Sequence, residues 1–239
     1  MTQFILSDLT LLIPSKNDSA NIRGNFKDIE NYLSSKIMNY EIIIISNNSN
    51  VQEIKTINQV IHNKKYTKHI VYDKGGKGFA IREGVLNAKY NNILFSDADF
   101  SVSIDEFDKF VKNNSLLADL VIGSRKIKGS LNLNSPIKRK ITGILFMLLT
   151  NFFFKINIKD TQCGFKALKK DSYNEFMYTE DGFVFDIELI LLTKLNNLSI
   201  SEVPVKYVHQ KNSSVKVYRD SIKMFFGLLR LYKNFYKII

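Results

Sequence analysis

The chain has 239 residues, of which 45% are hydrophobic and 24% charged, an ordinary balance for a globular protein. Its net charge of +11 predicts phosphate-bearing partners such as a nucleotide, a nucleic acid or an anionic membrane. The single cysteine, Cys163, excludes an internal disulfide framework, indicates a reducing compartment and is typical of a small buried hydrophobic residue.

The first half of the sequence alternates short apolar runs with segments of helical spacing. Five runs are predicted as buried strands: Leu9 to Pro14, Glu41 to Ser46, Lys68 to Tyr72, Asn92 to Asp97 and Ala118 to Ser124. The helices predicted between them cover residues 18–36, 51–62, 78–88 and 104–112. Strands buried on both faces and separated by helices predict a mostly parallel, doubly wound α/β sheet. Such sheets bind ligands at the carboxyl ends of their strands.

The second half is less regular. Its predicted elements are a helix from Pro136 to about Lys155, a loop and strand from Asp160 to Leu168, a helix from Phe185 to Asn196, and a strand from Ile200 to His209. A last amphipathic helix begins at about Arg219. No linker is visible, so we expect one domain over residues 1–218 with a C-terminal helical appendage over 219–239.

Two acids follow the fourth predicted strand, because Asp97 and Asp99 are separated only by Ala98. Carboxylates repel each other at close range and are costly to bury. One interpretation is a cap on a turn or helix. The other is a site for Mg²⁺ or Mn²⁺, whose charge would remove the repulsion and attract a diphosphate.

The glycine-rich run from Gly75 to Gly84, "GGKGFAIREG", is neither a Walker A sequence nor a dinucleotide fingerprint. It is interpreted either as a plain turn before a helix or as a helix N-terminus that offers backbone N–H groups and the ammonium of Lys77 to an anion. His62, His69 and His209 lack metal-ligand spacing, so we expect no zinc site.

Nine segments in order carry a family resemblance: "LLIPSKNDSANI", "EIIIISNNS", "GGKGFAIREG", "FSDADFS", "VIGSR", "DTQCGFKAL", "GFVFDIELI", "ISEVPVKY" and "SVKVYRDSIKMF". Together they resemble the inverting GT-A glycosyltransferases that load sugars onto polyprenyl phosphates, such as dolichyl-phosphate glucosyltransferases and dolichyl-phosphate mannose synthases. The resemblance covers residues 9 to about 230. It implies the GT-A, or nucleotide-diphospho-sugar transferase, fold with a C-terminal amphipathic helix.

The resemblance also implies roles for individual residues. Those expected around the nucleotide donor are Pro14, Ser15, Asn17, Asp18, Ser46, Asn47, Lys77 and Asp97. Asp97 and Asp99 are the implied metal ligands, with Asp97 also touching the ribose. The residues expected near the reaction centre are Asp97, Asp99, Arg125, Gln162, Asp186 and Glu188. Those expected at the acceptor phosphate are Arg125, Ser213, Ser214, Lys216 and Arg219.

The chain departs from the family pattern after its second predicted strand. The family has two acids, glycine and serine there, whereas this chain has Ser46, Asn47, Asn48 and Ser49. The base of the donor would therefore meet uncharged acceptors. Asp18 stands for the usual glutamate of the first loop, and Ser214 for a usual lysine, with Lys216 as a substitute.

The expected function is transfer of a glucose or mannose from a UDP- or GDP-hexose to a polyprenyl phosphate, with inversion and with Mg²⁺ or Mn²⁺ as cofactor. One alternative is a sugar-hydroxyl acceptor in glycan or cell-surface polysaccharide synthesis, which would need Asp186 or Glu188 as a general base. Another is a non-catalytic nucleotide- or nucleic-acid-binding protein. Nucleic acid is disfavoured because the aromatic residues lie mostly in apolar runs rather than among basic residues.

A polyprenyl phosphate acceptor also predicts peripheral attachment to the cytoplasmic face of a membrane. The apolar run from Ile141 to Phe154 is shorter than the about 20 residues of a membrane-spanning helix. Basic residues precede it at Lys138, Arg139 and Lys140 and punctuate the last helix, as in helices that lie in a membrane interface. Packing on the sheet, on a second copy of the chain or on a membrane partner subunit are the other interpretations of these helices.

Overall fold

In this computed structural model, residues 4–173, 178–210 and 217–235 are described, with the side chains of 138–141 and 217–222 left outside the description. The strands are β1 (Leu6–Ser15), β2 (Ile37–Asn47), β3 (Thr67–Tyr72), β4 (Asn92–Ser96), β5 (Val111–Lys112), β6 (Ser115–Leu116), β7 (Leu120–Ser124), β8 (Leu131–Leu133), β9 (Phe165–Lys169), β10 (Ile200–Pro204) and β11 (Lys206–Val208). The α-helices are α1 (Ser19–Lys36), α2 (Val51–Val60), α3 (Lys77–Asn87), α4 (Ile137–Phe154), α5 (Phe185–Leu195) and α6 (Val217–Phe235).

The main sheet has seven strands in the order β10-β7-β9-β4-β1-β2-β3. Every pairing is parallel except those of β9, which runs antiparallel to both β4 and β7. Successive residues of a strand face opposite sides of the sheet. Leu11 and Ile13 of β1 therefore join the core under α1 and α2, while Leu12 joins the core under α3 and α5. Apolar layers on both faces explain the uninterrupted hydrophobic runs of the central strands.

The last helix packs back onto the rest of the chain. Leu228, Leu231 and Phe235 of α6 are buried in the core on the α3 and α5 side of the sheet. Tyr232 lies against the aromatic end of α4, with ring centroids 5.2 Å from Phe153 and 6.2 Å from Phe154. The domain boundary at residue 219 stays a prediction.

Two predicted elements differ from the structure, and one short strand was missed. The segment predicted as a helix over 104–112 is a 3-10 helix from Ile104 to Phe110 followed by the short β5. Its buried residues Ile104, Phe107 and Phe110 recur every third position, which matches three residues per turn. The strand predicted from Ile200 to His209 is divided, since β10 pairs with β7 in the main sheet and β11 pairs with β8 in a separate one. The strand β8 was not predicted.

Candidate active site

The carboxyl ends of β1, β2 and β4 meet at one edge of the sheet. β1 pairs in parallel with both β2 and β4, and Ser15 lies opposite Ser46 in the register. Asp97 follows the last residue of β4 directly. The structure thus brings the predicted nucleotide residues of the first two strands and the predicted acid pair to the same edge.

Asp97 is held by a lysine and by a tight backbone contact. The Lys77 ammonium, which is mostly buried at the start of α3, lies 2.5 Å from Oδ1 of Asp97. The Asp97 N–H donates to the carbonyl of Gly164 at 3.1 Å, and a Cβ at residue 164 would lie only 1.9 Å from Asp97 Oδ2. Burial alone would lower the pKa of Lys77, but the charges of Asp97 and Asp186 outweigh it and raise that pKa.

Asp99 both caps a turn and contributes negative charge to the edge. Its Oδ1 accepts the Ser101 N–H at 3.0 Å, which confirms the turn-cap interpretation for one carboxylate oxygen. Its Oδ2 accepts no hydrogen bond from the described residues. Burial raises the pKa of Asp18, and the neighbouring charges of Asp99 and Asp97 raise it further. Three carboxylates are therefore close enough to repel one another.

The loops that follow β1 and β2 are tied together. Asn17, in the left-handed region at φ 59°, accepts the Asn50 N–H with its Oδ1 at 3.0 Å. Ser49 Oγ accepts the Asn17 N–H at 3.2 Å. Asn47 is buried and donates from Nδ2 to the carbonyl of Gly76 at 2.9 Å, which fixes the glycine-rich turn to the end of β2. The hydroxyl of Ser15 is buried without a hydrogen-bond partner among the described residues.

Ser46 begins a hydrogen-bonded relay instead of facing solvent. It is fully buried, and its Oγ lies 2.8 Å from His69 Nε2. The other ring nitrogen of His69 lies 2.7 Å from Asn58 Oδ1. Burial lowers the pKa of His69. Because an amide oxygen can only accept, Nδ1 of His69 carries the proton and Nε2 accepts from Ser46 in the neutral ring.

At the N-terminus of α3, a protein group binds the amide of the third helical residue. The Phe79 N–H donates to the carbonyl of Asp181 at 3.1 Å, and the Ala80 N–H to the carbonyl of Gly76 at 3.0 Å. With Lys77 paired to Asp97, the anion-binding interpretation of "GGKG" rests on that ammonium, not on these two amides.

Arg125 is engaged by a buried aspartate. Its Nε and Nη2 donate to Asp160 at 2.7 and 2.8 Å, and its guanidinium lies 5.2 Å from the ring centroid of Tyr207. Burial is the largest single influence and raises the pKa of the Asp160 carboxyl, but the charge and hydrogen bonds of Arg125 and the charge of Lys126 together outweigh it, so the net shift is downward. Gln162 contacts α6, with Nε2 3.9 Å from Met224 Sδ. Whether either residue meets a sugar or a phosphate stays a prediction.

The two acids of α5 are buried and paired. Asp186 accepts a very short hydrogen bond from Lys166, a lysine with no exposed surface that also donates to the carbonyl of Cys163 at 2.7 Å. Burial raises the pKa of Asp186 despite the opposing charges of Lys166 and Lys77. Glu188 accepts the Thr179 and Glu180 N–H groups at 2.9 and 2.7 Å and the Thr179 hydroxyl at 3.0 Å.

The predicted acceptor residues fall mostly outside the described part of the chain. Ser213, Ser214 and Lys216 lie in the undescribed segment 211–216, and Arg219 is described only in its backbone, as part of α6. Cys163 is buried as expected, which raises the pKa of its thiol to about 11.

Sequence reasoning missed four residues that organise this edge: Asp160, Gly164, Lys166 and His69. Asp160, Gly164 and Lys166 lie inside the motif "DTQCGFKAL". The ion-pair partners of Lys166 and Asp160 lie 20 and 35 residues away, so the motif alone does not reveal them. A lysine in the apolar run "CGFKAL" was the available signal for a buried ion pair.

Comparisons with known proteins point in one direction. A family model described as glycosyl transferase family 2 matches residues 10–177. A dolichyl-phosphate beta-glucosyltransferase of Trichomonas vaginalis is 27% identical over 236 residues, covering 93% of this chain and 70% of the relative. The enzyme of the same description from Saccharomyces cerevisiae is 28% identical, covering 90% of this chain and 71% of the relative.

Solved structures show the same fold. Mannosyl-3-phosphoglycerate synthase from Rubrobacter xylanophilus superposes with a TM-score of 0.75 at 14% identity, covering 97% of this chain and 75% of that one. Glucosyl-3-phosphoglycerate synthase from Mycobacterium tuberculosis, in complex with Mn²⁺, UDP and its product, gives a TM-score of 0.71 at 14% identity, with coverages of 94% and 79%. The predicted α/β fold with a mostly parallel sheet is confirmed.

Proposed function

The chain belongs to glycosyl transferase family 2, and we propose that it transfers a hexose from a nucleotide diphosphate sugar to a dolichyl-type polyprenyl phosphate, with inversion. The observation that carries the acceptor class is the state of Asp186 and Glu188. Both are buried and already hydrogen-bonded, so neither is placed as the general base that a sugar hydroxyl would need. A phosphate acceptor is ionised near neutral pH and needs no such base.

The relatives support the same acceptor. Several proteins that match over 90% or more of this chain are described as dolichyl-phosphate beta-glucosyltransferases, which makes glucose the first sugar to test and mannose the second. The structural neighbour bound to UDP makes a UDP-sugar the first donor to test, with a GDP-sugar as the alternative.

The reaction then depends on alignment and charge. An in-line attack by the acceptor phosphate on the anomeric carbon breaks its bond to the donor diphosphate, and the leaving diphosphate must be neutralised. We propose that Lys77, mostly buried beside Asp97, holds the donor side. Ser46 and Asn47 are buried and already bonded to His69 and Gly76, and Ser49 is bonded to the first loop, so the exposed Asn48 is left as the more accessible group of the strand-two loop for the base.

The acid pair fits a divalent cation. Asp97 and Asp99 supply hard carboxylate oxygens on alternate residues, and the shared repulsion with Asp18 would be relieved by positive charge. No group of three or more His, Cys, Asp or Glu within the described residues could hold a metal ion by itself. We therefore propose that Asp97 and Asp99 would hold Mg²⁺ or Mn²⁺ together with the donor, and that the cation would supply positive charge for the leaving diphosphate.

Peripheral membrane attachment is the remaining part of the proposal. Among the described residues, no helix has the length and apolar character needed to cross a bilayer. Large apolar side chains on α4 and α6 are exposed to solvent: Ile144, Leu145, Leu148, Phe152, Phe225, Phe226 and Leu229. The two helices touch through Phe153 and Tyr232, so these side chains belong to neighbouring surfaces that fit an interfacial helix pair.

The activity test offers UDP-glucose and GDP-mannose with Mg²⁺ or Mn²⁺ to the whole chain, with either polyprenyl phosphate in mixed micelles or a soluble glycan as acceptor. We expect a polyprenyl phosphate hexose whose anomeric configuration, read by NMR, is opposite to that of the donor. The Asp99→Asn variant is the negative control. Transfer to the soluble glycan alone would overturn the acceptor, and donor binding without any transfer would favour the non-catalytic alternative.

Membrane attachment is tested by co-flotation with vesicles containing anionic lipid. We expect the chain to float, and we expect the Phe152→Ser, Phe226→Ser double variant to stay in the soluble fraction. Leu86→Ser is the matched control, because Leu86 on α3 is an apolar residue about as exposed as Phe226. If the double variant floats as well as the control, α4 and α6 do not form the attachment surface.

A further inference from the structure

The segment 178–184 directly precedes α5. It is held by hydrogen bonds to a side chain of that helix. Glu188 takes the backbone N–H groups of Thr179 and Glu180. Two consecutive amides bound by one buried carboxylate fix the direction of the backbone at this point.

The same segment packs against the start of α3, next to the donor side of the candidate site. The Asp181 carbonyl accepts the Phe79 N–H at 3.1 Å, and Arg82 donates to Asp181 Oδ1 at 2.6 Å. The Glu180 carbonyl would lie 2.2 Å from a Cβ at Gly78, so the two backbones are in direct contact. Lys77 immediately precedes these contacts, and a shift of the segment would shift its ammonium.

The third attachment comes from α6. Arg230 donates from Nε to Glu180 Oε1 at 2.6 Å, and its Nη2 makes a second, very short hydrogen bond to Oε2. A Cβ at Gly227, one turn earlier, would lie 2.5 Å from Val184 Cγ2. The helix therefore touches both ends of the segment, through a bidentate ion pair and through close packing.

Arg230 interacts electrostatically with two buried acids. Glu180 and Glu188 are 7% and 6% exposed, and both raise the pKa of Arg230, the hydrogen bond to Glu180 most of all. An exposed ion pair contributes little, but removing the cation here would leave two neighbouring acids in a buried position without it. The Arg230 side chain is 62% exposed and that of Glu180 8%, so without Arg230 the Glu180 carboxylate would lose the partner that joins the segment to α6.

We propose that Arg230 is a positioning residue that ties α6 to the donor side of the active site through segment 178–184, so that the docking of α6 sets the placement of Lys77. The proposal deepens the proposed function and rests on it in one respect, namely that the surface which α6 meets is a membrane. Phe226 lies one turn before Arg230 on the same face of α6, and Leu229 is also exposed, so a membrane that meets Phe226 would also approach the pair of Arg230 and Glu180.

The first experiment is hydrogen exchange at the Phe79 amide, which needs no substrate. Arg230→Met should speed exchange at Phe79 by roughly tenfold, because it loosens the acceptor carbonyl of Asp181. Lys233→Met is the matched control, since Lys233 is an exposed cation of the same helix that forms no ion pair with the residues the structure describes. Equal Phe79 exchange in wild type and Arg230→Met would overturn the proposal.

The second experiment is calorimetric binding of UDP with Mn²⁺, with GDP in parallel. Arg230→Met should weaken the nucleotide that wild type binds by roughly tenfold, and Arg230→Lys should restore part of the loss because it keeps the charge without the fork. Adding Glu180→Gln to Arg230→Met should cause no further loss, as expected for two residues that act through one pair. Independent, additive losses would overturn the pairing.

The third experiment separates this proposal from the proposed function. Vesicles of phosphatidylcholine and phosphatidylglycerol should raise nucleotide affinity in wild type and not in Arg230→Met. Gly227→Ala should behave like Arg230→Met, although alanine favours helices over glycine, because its methyl group displaces α6 from Val184. If wild type binds neither UDP nor GDP, the donor assignment fails while Phe79 exchange still decides the positioning role. If vesicles raise affinity equally in both proteins, the positioning role fails.

Discussion

Two polar regions of the molecule differ in the exposure and pairing of their acidic side chains. At the ends of β1 and β4, the acids Asp18, Asp97 and Asp99 are only partly buried, and the Asp97 side chain is 46% exposed. In the second half of the chain, Asp160 and Asp186 are 1% and 3% exposed and each is paired with a cation. The first region keeps oxygen atoms within reach of a ligand, while the second uses its charges to hold the chain together. Substitutions should therefore reduce activity in the first region and stability in the second.

The largest effect is expected from Arg125→Met in the second region. It leaves the Asp160 carboxylate buried without its guanidinium, which should lower the free energy of unfolding by about 3–5 kcal/mol. The measurement is urea unfolding followed by circular dichroism, at neutral pH. Because the resemblance assigns Arg125 to the acceptor phosphate, the same protein should also be assayed for acceptor KM.

The control for this change is the double variant Arg125→Met, Asp160→Leu. Removing both charges should restore part of the stability, since a buried pair replaced by apolar side chains is often neutral. If Arg125→Met keeps wild-type stability and loses only acceptor affinity, Arg125 belongs functionally with the exposed acids, and the contrast between the two regions is wrong.

Asp99→Asn should have the next largest effect, and it should reduce activity rather than stability. An amide keeps the hydrogen bond from the Ser101 N–H but loses the charge that a cation requires, so kcat should fall about 10²–10³-fold with little change in melting temperature. Turnover and its dependence on Mn²⁺ concentration are the measurements, with thermal unfolding beside them. A collapse of the melting temperature at retained metal dependence would show that Asp99 is only a turn cap.

Gly164→Ala should have a moderate effect, at a point where the two regions touch. The new methyl group would lie 1.9 Å from Asp97 Oδ2, so Asp97 has to move, and metal affinity should fall roughly 10–100-fold. Mn²⁺ binding in the presence of UDP measures it. Gly24→Ala is the control, because a Cβ there meets no atom within 4 Å and alanine favours the helix. Equal metal affinity in the two variants would mean that Gly164 does not position Asp97.

The sequence was most informative where burial alone decides the structure. Central strands such as β1 and β2 are continuous apolar runs, and the helices between them carry a regular apolar spacing, so order and type were predictable. The antiparallel direction of β9 was not, because a buried strand has the same composition in either direction. The short strand Leu131–Leu133 is too brief to show a period, and its pairing with β11 is a long-range choice.

The same limit applies to the candidate site. Asp97 and Asp99 were predictable because two acids after a buried strand need a physical reason. The partners of Arg125 and Glu188 were not predictable. Asp160 lies 35 residues from Arg125, and Glu188 accepts hydrogen bonds from the backbone N–H groups of Thr179 and Glu180. Sequence patterns mark residues that carry charge, but only the fold decides whether that charge meets a ligand or another part of the chain.

The smallest effect is expected at His69, a paired group inside the exposed region. Burial lowers the pKa of His69 from its ordinary value of 6.5, so the folded protein binds a proton there less readily than the unfolded chain does. Below pH 6.5 the unfolded state therefore takes up more protons, and stability should fall as the pH decreases from 6.5 through the lower folded pKa, then level off. Above pH 6.5 the ring is neutral in both states and makes no pH-dependent contribution.

His69→Gln should remove this part of the pH dependence of stability, and it also breaks the hydrogen-bonded link between Ser46 and Asn58. The measurement is thermal unfolding from pH 5 to pH 8. His62→Gln, at an exposed position after α2, is the control substitution. If both variants keep the wild-type slope, His69 does not contribute to the pH dependence of stability.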